Sequence, residues 1–321
     1  MPIKTPFCDL LKIDVPICLA GMGGVAYADV CAAVSEAGGY GTLGMAAESP
    51  DGIRSEMQRV RELTDKPFGV DLLAALPEQM MESIDVIIDE GASAFIAGLG
   101  VPGPVVEKCH DAGLLVMSMC GKVSHAVAAQ EAGCDVVVAQ GTEAGGHTGR
   151  VAGMALIPQI VDAVDIPVLG AGSIVDGRGL AACLAFGAQG VWMGTRFIAS
   201  HEARASEAYK KAIGEAASDQ TTITRCYSGK PMRVITNAYV EERERDPASI
   251  KRFPEQMFES SASGVMNALG GQMEGIEPDR HAMPCGQGAG GIDDILSCQE
   301  IVDKTMAEAE AVIAGLLPLA G

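Results

Sequence analysis

The chain has 321 residues, of which 48% are hydrophobic, 20% are charged and only 4% are aromatic. This composition predicts a globular protein with an aliphatic core and excludes disorder on a large scale. The formal net charge of −19 would repel both a nucleic acid backbone and an anionic membrane surface, so neither is expected as a partner.

The cysteines and the N-terminal region bear on the cellular compartment. The ten cysteines form no CxxC pair and mostly lie in apolar runs, so we expect reduced core thiols and no disulfide framework. The sequence contains no HExxH motif and no paired histidine cluster, so a metal site is not expected. The N-terminus shows no basic start followed by a long apolar stretch, and no later run reaches about 18 apolar residues. We therefore expect a cytoplasmic protein.

Short apolar runs alternate with longer amphipathic stretches from residue 16 onward, which is typical of buried parallel strands and their covering helices. The predicted strands span residues 16–20, 41–44, 68–72, 94–97, 115–119, 136–139, 167–171 and 190–194. The predicted helices between them span residues 28–37, 50–63, 80–90, 104–111, 124–132, 156–164 and 177–186. Most of these helices end in a glycine suited to a left-handed C-cap. Eight such units favour an α/β fold with a closed (β/α)8 TIM barrel over an open doubly wound sheet.

The regular alternation ends after the eighth predicted strand. We assign residues 1–199 to the barrel and residues 200–284 to a smaller, mainly helical insertion, which we call the lid segment. Residues 285–321 contain a predicted helix at 297–316 that would return to the barrel. The lid segment carries a small excess of basic over acidic residues up to position 252, so it could face an anionic ligand.

Glycine-rich segments follow several predicted strands, where barrel enzymes carry their active sites. Gly172 and Ser173 follow the seventh strand, and Gly194 and Thr195 follow the eighth. Small residues there let backbone N–H groups approach a phosphate, and the hydroxyls add donors. Each pair alone would merely indicate a tight turn, but the two together predict a phosphate-bearing ligand. The sequence contains no GxxxxGK[ST] motif, which argues against a nucleoside triphosphatase.

A second group of residues could hold a flat ring and carry out chemistry. Ala20 begins an AGMGG run after the first strand, where a ring could lie against the backbone. Asp71 lies at the end of the third strand and Lys122 follows the fifth; either could be a solvated loop charge when taken alone. His147 lies between glycines after the sixth strand, and histidine moves protons readily near neutral pH. His147 is therefore the predicted catalytic residue.

The motifs AGMGG, KPFGVDLL, AQGTEAGGHTG, GAGSIVDGRGLAACLAFGAQGVWMGTRF and GQGAGGI resemble the nitronate monooxygenase family, formerly called 2-nitropropane dioxygenases. The resemblance covers nearly the full length of the chain. The same pattern is shared with the FMN-dependent enoyl-acyl-carrier-protein reductases, so it identifies the superfamily better than the substrate.

The resemblance implies a non-covalent FMN at the top of the barrel and an active-site role for His147. Asp71 departs from the pattern, since many relatives carry Asn there, although a carboxylate can still accept hydrogen bonds from the flavin or its ribityl hydroxyls. The residues that would surround the cofactor are Ala20, Gly21, Met22 and Gly23 at the ring, Lys122 and Gln140 nearby, and Gly145, Gly146, Gly172, Ser173, Gly194 and Thr195 at the ribityl chain and phosphate.

Three functions follow from these residues. The first is oxidation of an alkyl nitronate with O2 to a carbonyl compound and nitrite, with His147 either deprotonating or orienting the small-molecule substrate. The second is an NAD(P)H-dependent reductase of an enoyl thioester or a quinone. The third is a binding or sensing subunit that keeps FMN without turnover. Nucleotide dehydrogenases with a loop cysteine are excluded, because the loop after the sixth strand has none. The sequence leaves open whether the protein forms a homo-oligomer.

Overall fold

A computed structural model of the protein describes residues 3–75 and 77–319, with the backbone alone for Gln79. The strands in chain order are β1 (Ile17–Leu19), β2 (Gly41–Gly44), β3 (Phe68–Leu73), β4 (Ala94–Gly98), β5 (Leu115–Cys120), β6 (Val136–Gln140), β7 (Gly146–His147), β8 (Val168–Ala171), β9 (Gly190–Met193), β10 (Thr221–Thr224) and β11 (Met232–Ile235). All eight predicted strands are present within a few residues of their expected bounds. The prediction did not include β7, β10 or β11.

Eight strands form one parallel sheet in the order β1-β9-β8-β6-β5-β4-β3-β2. The sheet closes between its two edge strands, because Leu19 N donates to Tyr40 O and Tyr40 N donates to Ile17 O, each over 2.9 Å. The predicted (β/α)8 barrel is thereby confirmed. Its strands are buried on both faces, which explains why they appear as short continuous apolar runs.

The helices between the barrel strands cover its outside, and every predicted barrel helix is present. Their bounds are α1 (Pro6–Leu11), α2 (Ala28–Glu36), α3 (Pro50–Leu63), α4 (Pro77–Asp89), α5 (Gly103–Asp111), α6 (Val123–Glu131), α7 (Gly153–Ala163), α8 (Gly177–Ala185), α9 (Thr195–Ile198), α10 (Glu207–Glu215), α11 (Ala238–Arg243), α12 (Glu255–Ala262) and α13 (Cys298–Leu316). The predicted glycine C-caps also have positive φ angles: Gly38, Gly91, Gly113, Gly133 and Gly187. Only glycine adopts this backbone region without strain.

Helix α1, which the sequence analysis did not predict, closes one end of the barrel. Its Phe7, Cys8 and Leu11 are fully buried and pack in one apolar cluster with residues at the starts of the strands, such as Ala94 and Val136. The N-terminal ends of the strands are therefore sealed by side chains. The C-terminal ends, where barrel enzymes place their sites, remain for ligand binding.

The lid segment is not only helical, as it also contributes a hairpin. Strands β10 and β11 pair antiparallel, and β11 also pairs with β7 from the loop after β6. A separate small core that includes Tyr227, Val234 and Val265 supports this part of the chain. Strand β10 is short and polar, with three threonines in four residues, so it gave no continuous apolar run from which to predict it.

Helix α13 returns to the barrel as predicted and packs against α8 and α2. Ser297 caps its N-terminus, because the Ser297 side chain accepts a hydrogen bond from Glu300 N. Gly177 permits the close contact, since a Cβ atom there would lie only 2.2 Å from Ala309 N. The last helix thus covers the barrel next to the point where the sheet closes.

Candidate active site

A deep cavity of about 990 Å³ opens at the C-terminal ends of the barrel strands. Its lining brings together almost all of the predicted site residues, namely Ala20, Gly21, Met22, Gly23, Asp71, Gln140, Gly145, Gly146, His147, Gly172, Ser173, Gly194 and Thr195. Lys122 is the exception, because it is exposed and lies outside the lining, at the residue before α6. The structure therefore places one cavity where the sequence predicted one site.

The loops after β8 and β9 form a wall of glycine and small hydroxyl residues. Gly172 and Ser173 have φ angles of +109° and +55°. A left-handed conformation costs a non-glycine residue roughly 1–2 kcal/mol, and such strain is concentrated at functional sites. Gly194 has ordinary negative dihedrals, and a Cβ atom there would make normal contacts with Met22 and Ala20. This wall can present backbone N–H groups to an anion.

A glycine-rich loop near the C-terminus completes that wall, and the sequence analysis did not assign it to the site. Gly286 N donates to Thr195 Oγ1 over 3.0 Å, and Gln287 N donates to Glu143 O over 2.9 Å. A Cβ atom on Gly288 would lie 3.0 Å from Ser173 Cα. The GQGAGGI motif could have indicated this loop. The sequence could not place the loop against Thr195, because the two residues in contact lie 91 positions apart along the chain.

The loop after β6 is held in place by two charged side chains. Both carboxylate oxygens of Glu143 accept from Gly153 N over 2.9 Å, which ties the loop to the start of α7. The buried Arg233 of β11 donates through Nε to Thr142 O over 3.0 Å. These bonds hold the backbone that leads to His147.

His147 lies on β7 and connects the barrel to the lid segment. Its Nε2 atom lies 2.8 Å from Ser228 Oγ, and its carbonyl oxygen accepts from Gln140 Nε2 over 3.2 Å. Burial, with a smaller contribution from the positive charge of Lys230, lowers the pKa of His147 to about 4. The imidazole is therefore neutral at physiological pH and offers one donor and one acceptor.

Asp71 is the most deeply buried carboxyl group of the cavity, at 8% exposure. It lies in β3 beside Gly21, where a Cβ atom would come within 2.3 Å of Asp71 Cβ. Burial raises the pKa of Asp71 well above its usual value. Among the described residues, its carboxyl group forms no hydrogen bond or ion pair.

The lid segment supplies an apolar roof over the cavity. Met257 and Phe258 of α12 line it together with Met266 and Leu269. Phe258 is 62% exposed, which places its ring at the mouth of the cavity. The sequence analysis predicted a lid without naming these residues, because the lid segment lacks the regular periodicity of the barrel. An apolar roof restricts bulk water and strengthens electrostatic interactions below it.

Three further features of the described residues concern the cysteines, metal binding and membrane-spanning helices. All ten cysteines are free and buried, as predicted. In residues 3–75 and 77–319, no group of three or more His, Cys, Asp or Glu side chains is arranged to hold a metal ion. No helix among these residues has the length and apolar character needed to cross a membrane.

The barrel, its sealed N-terminal end and the cavity at its other end have the arrangement of a TIM-barrel enzyme, and the comparisons with known proteins place it among the oxidoreductases. The nitronate monooxygenase family model matches residues 4–83 and 78–308. The chain therefore belongs to the nitronate monooxygenase family.

Three relatives show how wide this similarity is. A probable nitronate monooxygenase from Staphylococcus saprophyticus is 34% identical, over 80% of this chain and 85% of the relative. The Mycobacterium tuberculosis protein named (3aS,4S,5R,7aS)-5-hydroxy-7a-methyl-1-oxo-octahydro-1H-indene-4-carboxyl-CoA dehydrogenase is 31% identical, over 96% and 97%. The solved structure of FabK from Thermotoga maritima has a TM-score of 0.91 and 34% identity, with 99% of each chain covered. The two curated relatives are named for different substrates, a nitronate and a carboxyl-CoA compound.

Proposed function

We propose that the protein is an FMN-dependent nitronate monooxygenase that oxidises alkyl nitronates with O2 to carbonyl compounds and nitrite. The observation that carries this proposal is the neutral, largely buried His147, which faces the same cavity as the glycine-lined wall. Membership of the nitronate monooxygenase family supports the choice of reaction.

The residues of the cavity fit FMN. Gly172, Ser173, Gly194 and Thr195 would hold the phosphate through backbone N–H groups and hydroxyls. Ala20, Gly21 and Gly23 carry no bulky side chain, and a Cβ atom on Gly23 would meet no atom within 4 Å, so this face has space for a flat ring. The volume of about 990 Å³ lies at the upper end of the range for drug-sized ligands, which leaves room for a second small molecule.

FMN, when bound, supplies the electron-accepting group of the reaction. The protein's own contribution is to hold the substrate, and His147 is the residue placed to do so. With a pKa of about 4, His147 is a weak base at neutral pH and poorly suited to removing a carbon-bound proton. We therefore propose that the substrate enters as the nitronate anion and that His147 orients it through a hydrogen bond.

The lid segment is proposed to shape the substrate side of the cavity. Ser228 fixes His147, while Met257 and Phe258 cover the opening and restrict water. We retain 200–284 as the bounds of this segment.

Ten buried thiols support a reducing compartment, in agreement with the expected cytoplasmic location.

A second candidate is an NAD(P)H-dependent reductase or dehydrogenase acting on an acyl thioester. Two observations favour it. The M. tuberculosis relative is named for a carboxyl-CoA substrate and matches 96% of this chain. The large apolar cavity would also admit a bulkier group than a short nitronate needs.

Anaerobic stopped-flow absorbance of the purified protein separates the two candidates. We would mix it with propyl-2-nitronate in one experiment and with NADH or NADPH in another, and then admit oxygen. Loss of the oxidised flavin absorbance with nitronate alone, followed by nitrite release on aeration, is the expected result. Reduction by the nicotinamide alone would replace the proposal with the reductase. A protein that contains no flavin and cannot be loaded with it would remove both.

A further inference from the structure

The Asp71 carboxyl group is built into the cavity wall by close packing. It is 8% exposed and lies in β3, where its register partners are Gly44 at the end of β2 and Ile96 in the middle of β4. A Cβ atom on Gly21 would lie 2.4 Å from Asp71 Oδ2, and one on Gly98 would lie 3.3 Å from Asp71 Oδ1. Glycines on both sides therefore make room for this side chain, and the same side chain lines the cavity.

No cation compensates this carboxyl group in the part of the chain that the structure describes. Strands β2 and β4 and the AGMGG run contain no charged residue. The titratable side chains among the described residues of the lining are Asp71, Glu78, His147 and Tyr209, and none of them is Lys or Arg. A buried carboxylate without a partner costs several kcal/mol, so such a group usually takes up a proton instead.

We propose that Asp71 stays a carboxylic acid at neutral pH and donates a hydrogen bond to the bound flavin. This inference rests on the proposed FMN site. A protonated carboxyl group has one O–H donor and an acceptor oxygen, whereas a carboxylate can only accept. The direction in which burial shifts the pKa of Asp71 agrees with the geometry. An apolar site can keep a carboxylic acid neutral so that it serves as a hydrogen-bond donor.

Infrared difference spectroscopy tests the protonation state without reference to activity. The full-length protein at pH 7 would be compared with Asp71→Asn, using isotope-labelled aspartate to assign the carbonyl stretch of a carboxylic acid. We expect this band in the wild type and its loss in Asp71→Asn. Glu78→Gln is the matched control, because Glu78 is an exposed carboxyl group of the same cavity, and it should keep the band. Absence of the band from the wild type would overturn the protonated state.

FMN affinity against pH tests the hydrogen bond. If only the protonated Asp71 binds, the affinity of the wild type falls about tenfold per pH unit above the titration of this group. Asp71→Asn should bind FMN with little pH dependence, and Glu78→Gln should follow the wild type. A wild-type profile identical to that of Asp71→Asn would overturn the hydrogen bond while leaving the FMN site intact. Failure of all three proteins to bind FMN would overturn the proposed function and the hydrogen bond together, and the infrared band would still decide the protonation state.

Discussion

His147 Nε2 lies 2.8 Å from Ser228 Oγ, which joins the loop after β6 to the lid segment through one hydrogen bond. Ser228 is fully buried, and Lys230 N donates to its hydroxyl oxygen over 3.3 Å. The hydroxyl proton lies within reach of two acceptors, Lys230 O at 3.2 Å and His147 Nε2 at 2.8 Å. When Ser228 donates to Nε2, Nδ1 carries the ring proton and can donate to a nitronate anion, as the proposed role of His147 requires.

Replacing His147 should reduce turnover without releasing FMN, because the proposed phosphate wall lies on other loops. We expect His147→Ala to lose about ten- to a hundredfold in kcat/KM for propyl-2-nitronate, the value of one hydrogen bond to a charged group. Flavin absorbance of the purified variant and steady-state nitrite release would measure both effects. A loss of roughly 10³-fold or more would indicate proton transfer by His147 instead of orientation. Unchanged activity would remove His147 from the site.

Ser228→Ala should disturb the orientation of His147 and leave the fold intact. The expected loss in kcat/KM is about two- to tenfold, as for one neutral hydrogen bond. The matched control is Ser260→Ala, another buried serine of the lid segment, whose hydroxyl donates to Cys226 O. Equal losses in both variants, measured alongside thermal unfolding, would mean that the effect is a general loosening of the lid segment.

Gly194→Asp tests the proposed phosphate position. The site accepts a Cβ atom, since its nearest neighbours would be Met22 Sδ at 3.4 Å and Ala20 Cβ at 3.5 Å. Unit charges 4 Å apart interact with about 4 kcal/mol at an effective dielectric constant of 20, so a carboxylate there should repel the phosphate strongly. We expect Gly194→Asp to purify colourless and Gly194→Ala to purify yellow. A yellow aspartate variant would place the phosphate elsewhere.

Local signals predicted most of the barrel and the cavity. The eight strands appear as apolar runs, and the C-capping glycines are local requirements of the backbone. The hairpin of β10 and β11 escaped prediction because its role arises from pairing with β7, more than eighty residues away along the chain. The environment of Asp71 is set by Gly21, in the loop after β1, and by Gly98, at the end of β4, so the sequence could place this residue at the site but could not indicate its protonation state.

The depressed pKa of His147 predicts a loss of stability in acid. The unfolded chain takes up a proton near pH 6.5, whereas folded His147 takes one up only near pH 4. The free energy of unfolding should therefore fall as pH drops through this window, by up to about 3 kcal/mol from this group. His147→Gln should lack this component. Urea unfolding of FMN-free protein from pH 8 to pH 4 would measure the difference between wild type and variant, which should be constant above pH 7. A difference that stays constant down to pH 4 would contradict the shift.

Phe258 at the cavity mouth should discriminate between substrates by size. Its ring lines the cavity at 62% exposure, so we expect a long alkyl chain that extends toward the mouth to cover it and a short propyl group to leave it uncovered. Full burial of such a side chain is worth about 1.5–3 kcal/mol. We therefore expect Phe258→Ala to raise KM about fivefold for a long-chain nitronate, with little change for propyl-2-nitronate. Met273→Ala, which removes another exposed apolar side chain of the lid segment outside this cavity, should affect neither. Equal changes for both nitronates would show that Phe258 supports the lid segment without contacting the substrate chain.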